Sequence, residues 1–159
     1  MSALLPQGGV IDAGRHAFPI RVYYEDTDAG GIVYHAAYLL FAERARTEFM
    51  RGLGWPHERL AREAGCFWAV RHLTIDYRQP ARLDDALVVT TTLAGFKGAS
   101  VQGLQVIRRG SIELARITVR LAILSLSGRP ARMPLSLRAA MLPHLASKEG
   151  SSDTCKPIP

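Results

Sequence analysis

One helical pattern constrains this chain more than anything else in it. From Ala36 to Leu53, the residues Tyr38, Phe41, Ala42, Ala45, Phe49 and Leu53 recur at three- and four-residue steps. Glu43, Arg44, Arg46, Glu48 and Arg51 fill the positions between them. This is the period of an amphipathic helix with one apolar face. Gly52 and Gly54 supply its stop signal. About 18 residues at about 1.5 Å each give a rod of roughly 27 Å, long enough to be the spine of a domain. Its apolar face must be covered by the rest of the chain.

The cover is legible as strands. "HAFPIRVYYEDTD" (16–28) alternates as a strand before the helix, and "HERLAREAG" (57–65) reads as a short second helix. After Gly65 the period becomes two. "CFWAVRHLTIDYRQPA", "DALVVTTTLAGF", "ASVQGLQVIRR" and "SIELARITVRLAILS" are four successive strand patterns. Turn residues at 82–84, 97–98 and 109–110 predict that these four run as successive hairpins. "LSLRAAMLPHL" (135–145) is expected to be a last short helix. The expected organisation is a loose arm over 1–15, one domain over 16–145 and a disordered tail over 146–159. One strand, a long helix and then four strands is an α+β order. A lone helix wrapped by a curved antiparallel sheet is the hot-dog fold.

At 159 residues, with 48% hydrophobic and 21% charged residues, the chain can bury a core without disulfide or metal staples. Cys66 and Cys155 are far apart and lack the C-x-x-C spacing of a zinc or redox site, so both are expected as free thiols. No apolar run is long enough to span a membrane, and the first residues lack a basic start with an apolar core. The expected location is cytoplasmic. The net charge is +6, but the basic residues of the helices are interleaved with Glu43, Glu48, Glu58 and Glu63. That is a mixed solvated surface, not a nucleic-acid stripe.

The stretch "YYEDTDAGGIVYHAAY" (23–38) carries the chemistry. A calcium loop beginning at Asp26 would need a glutamate where Ala37 stands. His35 has no second His or Cys at ligand spacing, so no metal is expected. "GASVQG" around Ser100 fails the glycine spacing of a hydrolase elbow. Two readings remain: Asp28 caps a turn beside glycine, or it works on a substrate. A helix N-terminus offers unpaired N–H groups and partial positive charge, and a carboxylate lies just before it. Such a pair can polarise a carbonyl and attack it, directly or through water.

Arg21-Val22, four residues, Thr27-Asp28, two residues, Gly31-Ile32-Val33-Tyr34, and Tyr38 together resemble the motif of the 4-hydroxybenzoyl-CoA thioesterase family. Within it the chain is most similar to the Tol-Pal-associated, YbgC-type acyl-CoA thioesterases, and "RHLTIDYRQPARLDD" (71–85) extends the likeness. The resemblance covers roughly 16–145. It implies hydrolysis of an acyl-CoA thioester to free acid and CoA, without metal or organic cofactor. It implies a homodimer or homotetramer with sites at the subunit interface, and an acyl-carrier-protein thioester as an alternative substrate. The catalytic carboxylate falls on Asp28, and the carbonyl-polarising N–H on His35. Gly31 and Tyr34 fall among substrate-binding positions, as does Lys97 in the turn where the family carries basic residues for CoA phosphates. A non-catalytic acyl-CoA-binding hot-dog module is the rival from another class. Dehydratases of this fold follow a different pattern, with histidine on a strand loop and an acid on the helix.

Overall fold

In the computed structural model, which describes residues 7–146, the long helical pattern is α1, Ala37–Gly52. Its apolar positions are the ones that are buried: Tyr38, Phe41, Ala42, Ala45, Phe49 and Met50. Phe41, Ala42 and Ala45 have no exposed surface. A fully buried Phe side chain alone contributes about 1.5–3 kcal/mol. α1 ends through Leu53, whose N–H reaches the Phe49 carbonyl at 3.0 Å. A second helix, α2 (His57–Ala64), stops at Gly65 in the left-handed conformation, φ +61°.

Six strands complete the fold: β1 (Val10–Asp12), β2 (Arg15–Arg21), β3 (Cys66–Tyr77), β4 (Ala86–Lys97), β5 (Ser100–Arg109) and β6 (Ile112–Ser125). They form one antiparallel sheet in the order β1-β2-β4-β5-β6-β3. α1 packs across β2 and β4. Ile20, Leu87, Val89, Ile107, Leu114 and Ile117 meet it from the sheet. Beyond β6, α3 (Leu135–Met141) buries Leu137 and Met141 in a second cluster with Phe49, Trp55 and Leu60. This is the α+β hot-dog arrangement expected from the order of elements.

Three local expectations change. The first strand ends at Arg21, not at Asp28, and Tyr24–Asp26 is a turn of 3-10 helix. The buried Asp26 carboxylate accepts the Tyr23 N–H at 2.8 Å and winds the chain out of extension. β3 and β4 do not pair as a hairpin. β3 lies at the edge against β6, and residues 78–85 cross the end of the sheet between the two strands. Val10–Asp12, inside the stretch read as a loose arm, is a strand paired with β2. Residues 1–6, the tail beyond Ala146 and Cys155 lie outside the described residues. Cys66 is buried and free.

One polar network crosses the buried contact between α1 and the sheet. Arg46 is 8% exposed on the buried face of α1 and donates to Gln105 Oε1 at 2.7 Å and to the Glu43 carboxylate. Gln105, on β5, donates in turn to the Ala42 carbonyl at 2.9 Å and to Thr91 Oγ1 at 3.0 Å. Every group in it therefore has a partner, which is the condition for tolerating a cation there. Gln105→Leu keeps the volume but strands an Arg46 guanidinium N–H and takes away the donor to Thr91 Oγ1. It should lower the unfolding free energy by roughly 3 kcal/mol, since unpaired buried donors to charged partners cost most. Urea denaturation of the variant beside the parent checks this.

Candidate active site

The segment between the 3-10 turn and α1 is folded by its own backbone. Thr27 and Val33 form an antiparallel bridge, and the Asp28 N–H donates to the Ile32 carbonyl at 3.0 Å. Gly31 stands at φ +72°, in the left-handed region, and its N–H returns to the Asp28 carbonyl at 3.0 Å. The exposed Asp28 side chain accepts the Gly30 N–H through Oδ1 at 2.8 Å. Among the described residues its Oδ2 has no partner. The loop thus orients the carboxylate through one oxygen and leaves the other unengaged. Asp26, two residues earlier, is buried and spent on the Tyr23 amide.

α1 begins without a cap. Its N-cap residue, Ala36, has no side-chain acceptor, and its first turn holds no acidic residue. The Tyr34 N–H donates to the Asp26 carbonyl at 2.8 Å, and the Ala37 N–H to the Tyr34 carbonyl at 2.8 Å. Between them, the amides of His35 and Ala36 have no hydrogen-bond partner among the described residues. Two free N–H groups at a helix N-terminus make a ready site for an oxygen carrying negative charge. The His35 ring is exposed and lies against Tyr34, centroid to centroid 4.4 Å.

The other wall comes from β3 and the crossing segment after it. Tyr77 Oη donates to the His35 carbonyl at 2.7 Å, and Tyr38 Oη accepts the Ala81 N–H at 2.9 Å. The two phenol rings meet edge to face, 5.4 Å apart. Burial pushes the Tyr38 hydroxyl above its ordinary pKa despite its bond with Ala81; burial and then Tyr38 do the same for Tyr77. Both remain protonated at neutral pH, so Tyr77 keeps its donor role. Val33 N–H reaches the Ala81 carbonyl at 2.9 Å, stapling the Asp28 loop to the same segment. Behind it, burial would raise the Asp85 carboxyl, but the Arg82 N–H at 2.8 Å and the Arg109 guanidinium at 2.6 Å outweigh it and hold it below the usual range.

Asp28, His35, Tyr38, Tyr77 and Pro80 line one open cleft of about 430 Å³. The carboxylate and the uncapped helix start therefore share one cavity, and the family model for the thioesterase-like superfamily matches residues 22–141, which contain all of it. The chain belongs to that superfamily. It is 45% identical over 125 residues to the acyl-CoA thioesterase YbgC of Haemophilus influenzae, covering 78% of this chain and 92% of that one. It is 50% identical over 84 residues to the acyl-CoA thioester hydrolase YbgC of Escherichia coli, covering 53% of this chain and 62% of that one. Among solved structures, a probable thioesterase from Bartonella henselae superposes with a TM-score of 0.72 at 38% identity, covering 76% of this chain and 99% of that one.

Of the five positions the superfamily resemblance pointed to, Asp28 and His35 meet in the cleft. Gly31 shapes the loop, and Tyr34 flanks the cleft with its ring on His35. Lys97 does not join them. It ends β4, which starts at Ala86 near the cleft and runs roughly 35 Å away from it. Lys97 lies with Arg71 and Arg120 around a separate concavity. Sequence reading missed Tyr77 and the 78–81 segment as cleft walls. Alternation places Tyr77 on the inner face of its strand, yet nothing in the sequence says which carbonyl it meets. Gly31→Ala forces a side chain into left-handed backbone and should cost about 1–2 kcal/mol, read as a lowered unfolding midpoint.

Proposed function

We propose that this protein is an acyl-CoA thioesterase that hydrolyses the thioester to a free acid and CoA. The observation that carries the reading is the shared cleft of an exposed, half-engaged Asp28 carboxylate and the unpaired His35 amide at the start of α1. The YbgC relatives named above support it. A thioester carbonyl oxygen at the His35 and Ala36 amides is polarised in the ground state. It is stabilised further as it becomes an oxyanion, because those donors are fixed before the reaction. Tyr77 holds the His35 carbonyl and so keeps the amides aimed.

Asp28 Oδ2 then serves in one of two balanced routes. As nucleophile it forms a mixed anhydride and expels the CoA thiolate, and water releases the acid. As general base it takes a proton from water, whose oxygen bonds to the carbonyl carbon while the C–S bond breaks. Either way the thiolate leaves and picks up a proton, and no cofactor enters the balance. The His35 ring borders the cleft and orients the water or the leaving group.

The assembly in this reading is at least a homodimer. β3 is a twelve-residue edge strand with Val70 half exposed, the kind of edge that proteins cover. A second protomer also resolves the position of Lys97, which lies too far from Asp28 of its own chain to meet the same CoA. Across a two-fold axis, Lys97 of one protomer can hold the phosphates of a CoA whose thioester lies at the other's helix.

Asp28→Asn keeps the Gly30 bond but removes basicity and nucleophilicity. We expect kcat on acyl-CoA to fall at least ~100-fold with substrate affinity and unfolding midpoint little changed. Parent-like turnover would remove Asp28 from the chemistry, whereas a stability loss alone would return it to turn capping. Tight acyl-CoA binding by the parent without any turnover would make the protein a binding module instead. Lys97→Ala should raise KM for acyl-CoA at constant kcat, with the effect shrinking as salt rises. On a thioester lacking the nucleotide the variant should match the parent.

A further inference from the structure

The peptide between His35 and Ala36 stands outside the hydrogen-bond ladder of α1. Ala36, at the N-cap, supplies the carbonyl that closes the first turn, and the Leu39 N–H donates to it at 3.1 Å. The Ala37 N–H turns back to the Tyr34 carbonyl at 2.8 Å. Among the described residues no backbone amide reaches the His35 carbonyl, and the Ala36 N–H has no partner. The helix therefore does not orient this peptide, although one of the two open amides of the cleft belongs to it.

A side chain from the sheet orients it instead. Tyr77, the last residue of β3, donates its hydroxyl to the His35 carbonyl at 2.7 Å across forty-two residues of sequence. That hydroxyl is held from two sides. Below it, Tyr77 pairs with Ala115 of β6, and the next amide, Arg78 N–H, donates to the Leu114 carbonyl at 2.8 Å. Beside it, the Tyr38 ring of α1 meets the Tyr77 ring edge to face at 79°, and Tyr38 is itself buried and bonded to the Ala81 amide. Strand end and helix start thus converge on one phenol.

Two consequences follow from the chemistry of the peptide bond. The described chain has no cis peptide, and in a planar trans peptide the C=O and N–H point opposite ways. Holding the His35 carbonyl on Tyr77 therefore fixes the direction of the Ala36 N–H. The unit is also conjugated, so a donor at its oxygen draws density from its nitrogen and makes the N–H a stronger donor. Hydrogen bonds in series strengthen one another by perhaps about 10–30% each. Tyr77 O–H, the His35 carbonyl and the Ala36 N–H form such a series, with its free end at the helix start.

We propose that Tyr77 is a positioning residue for thioester hydrolysis, acting through the His35–Ala36 peptide to aim and strengthen the Ala36 N–H that receives the substrate carbonyl oxygen. The inference rests on the thioesterase reading and extends its machinery to β3. The receiving oxygen carries more negative charge in the transition state than in the substrate. A stronger donor there acts on kcat more than on KM.

Steady-state kinetics on acyl-CoA with two variants of the full-length protein test it. Tyr77→Phe keeps the ring against Tyr38 and removes the donor. Its kcat should fall about threefold to tenfold, the worth of one hydrogen bond, with KM within about twofold of the parent's. Its unfolding midpoint should drop by no more than about 4 °C. Tyr77→3-fluorotyrosine keeps the hydroxyl but acidifies it. Burial and then Tyr38 raise the Tyr77 pKa, so the fluorinated hydroxyl still donates at neutral pH and kcat there should be no lower than the parent's. As pH rises, the fluorinated phenol ionises before the parent's, and a phenolate has no proton to donate. Its kcat should then fall along an alkaline limb that the parent lacks over the same range, with KM flat. Tyr77→Phe should show no such limb.

A Tyr77→Phe kcat within about twofold of the parent's overturns the inference, as does a fluorinated profile that follows the parent's at every pH. If Tyr77→Phe does not fold, the fluorinated profile decides alone: the limb upholds the inference and its absence overturns it. These overturning results leave the thioesterase reading standing. A parent that hydrolyses no thioester sinks that reading and this inference with it.

Discussion

Between α1 and the sheet, Phe41, Ala42 and Ala45 have no exposed surface, and that buried contact holds the N-terminus of α1 where it is. A helix loosened there would carry its free amides with it. Removal of apolar surface from water supplies the attraction but does not set direction or register. The Arg46–Gln105 bond adds register: it ties one turn of α1 to one residue of β5, at the cost of burying a cation that must keep its partners. Tyr38 does similar work at the start of the helix, with its ring in the core and its hydroxyl on the Ala81 amide.

The cleft inherits this rigidity from both walls. One wall is the helix start, left uncapped. The other is the 78–81 segment, stapled to the Asp28 loop by Val33–Ala81 and to α1 by Tyr77 and Tyr38. An ordinary helix would spend a serine or aspartate on its first amides. Here Ala36 holds the N-cap position and the amides of His35 and Ala36 have no partner among the described residues, a local loss of stability that suits the oxygen-binding role proposed for them. Asp26 and Asp28 illustrate the same economy. They are two residues apart, yet one carboxylate is buried and committed to a turn while the other is exposed with one oxygen free.

The sheet carries two unlike faces. Its inner face is a packing surface for α1. Its outer face includes a hollow where two bulges align, and the cations there have no carboxylate partner among the described residues, whereas Arg108 and Arg116, farther along β5 and β6, share Glu113. Only pairing between distant strands brings Arg71 and Arg120 to one place.

Periodicity alone determined that one amphipathic helix would be enclosed by strands, because a helix with its apolar residues at Tyr38, Phe41, Ala42, Ala45 and Phe49 has a stripe that must be covered. The motif around Asp28 and His35 also marked the cleft, since glycine, turn and helix-start residues act over a few neighbours and are readable as such. Tertiary structure decided what depends on distant partners. β3 crossed to the far edge instead of pairing with β4, because alternation says which face a residue takes but not which strand lies beside it. Tyr77 found the His35 carbonyl forty-two residues away, and Asp26 turned inward while Asp28 turned out. Lys97, legible only as a basic residue in a turn, was carried to the end of the sheet opposite the cleft. Side-chain chemistry is local, but the distance between two side chains is a property of the whole packed chain.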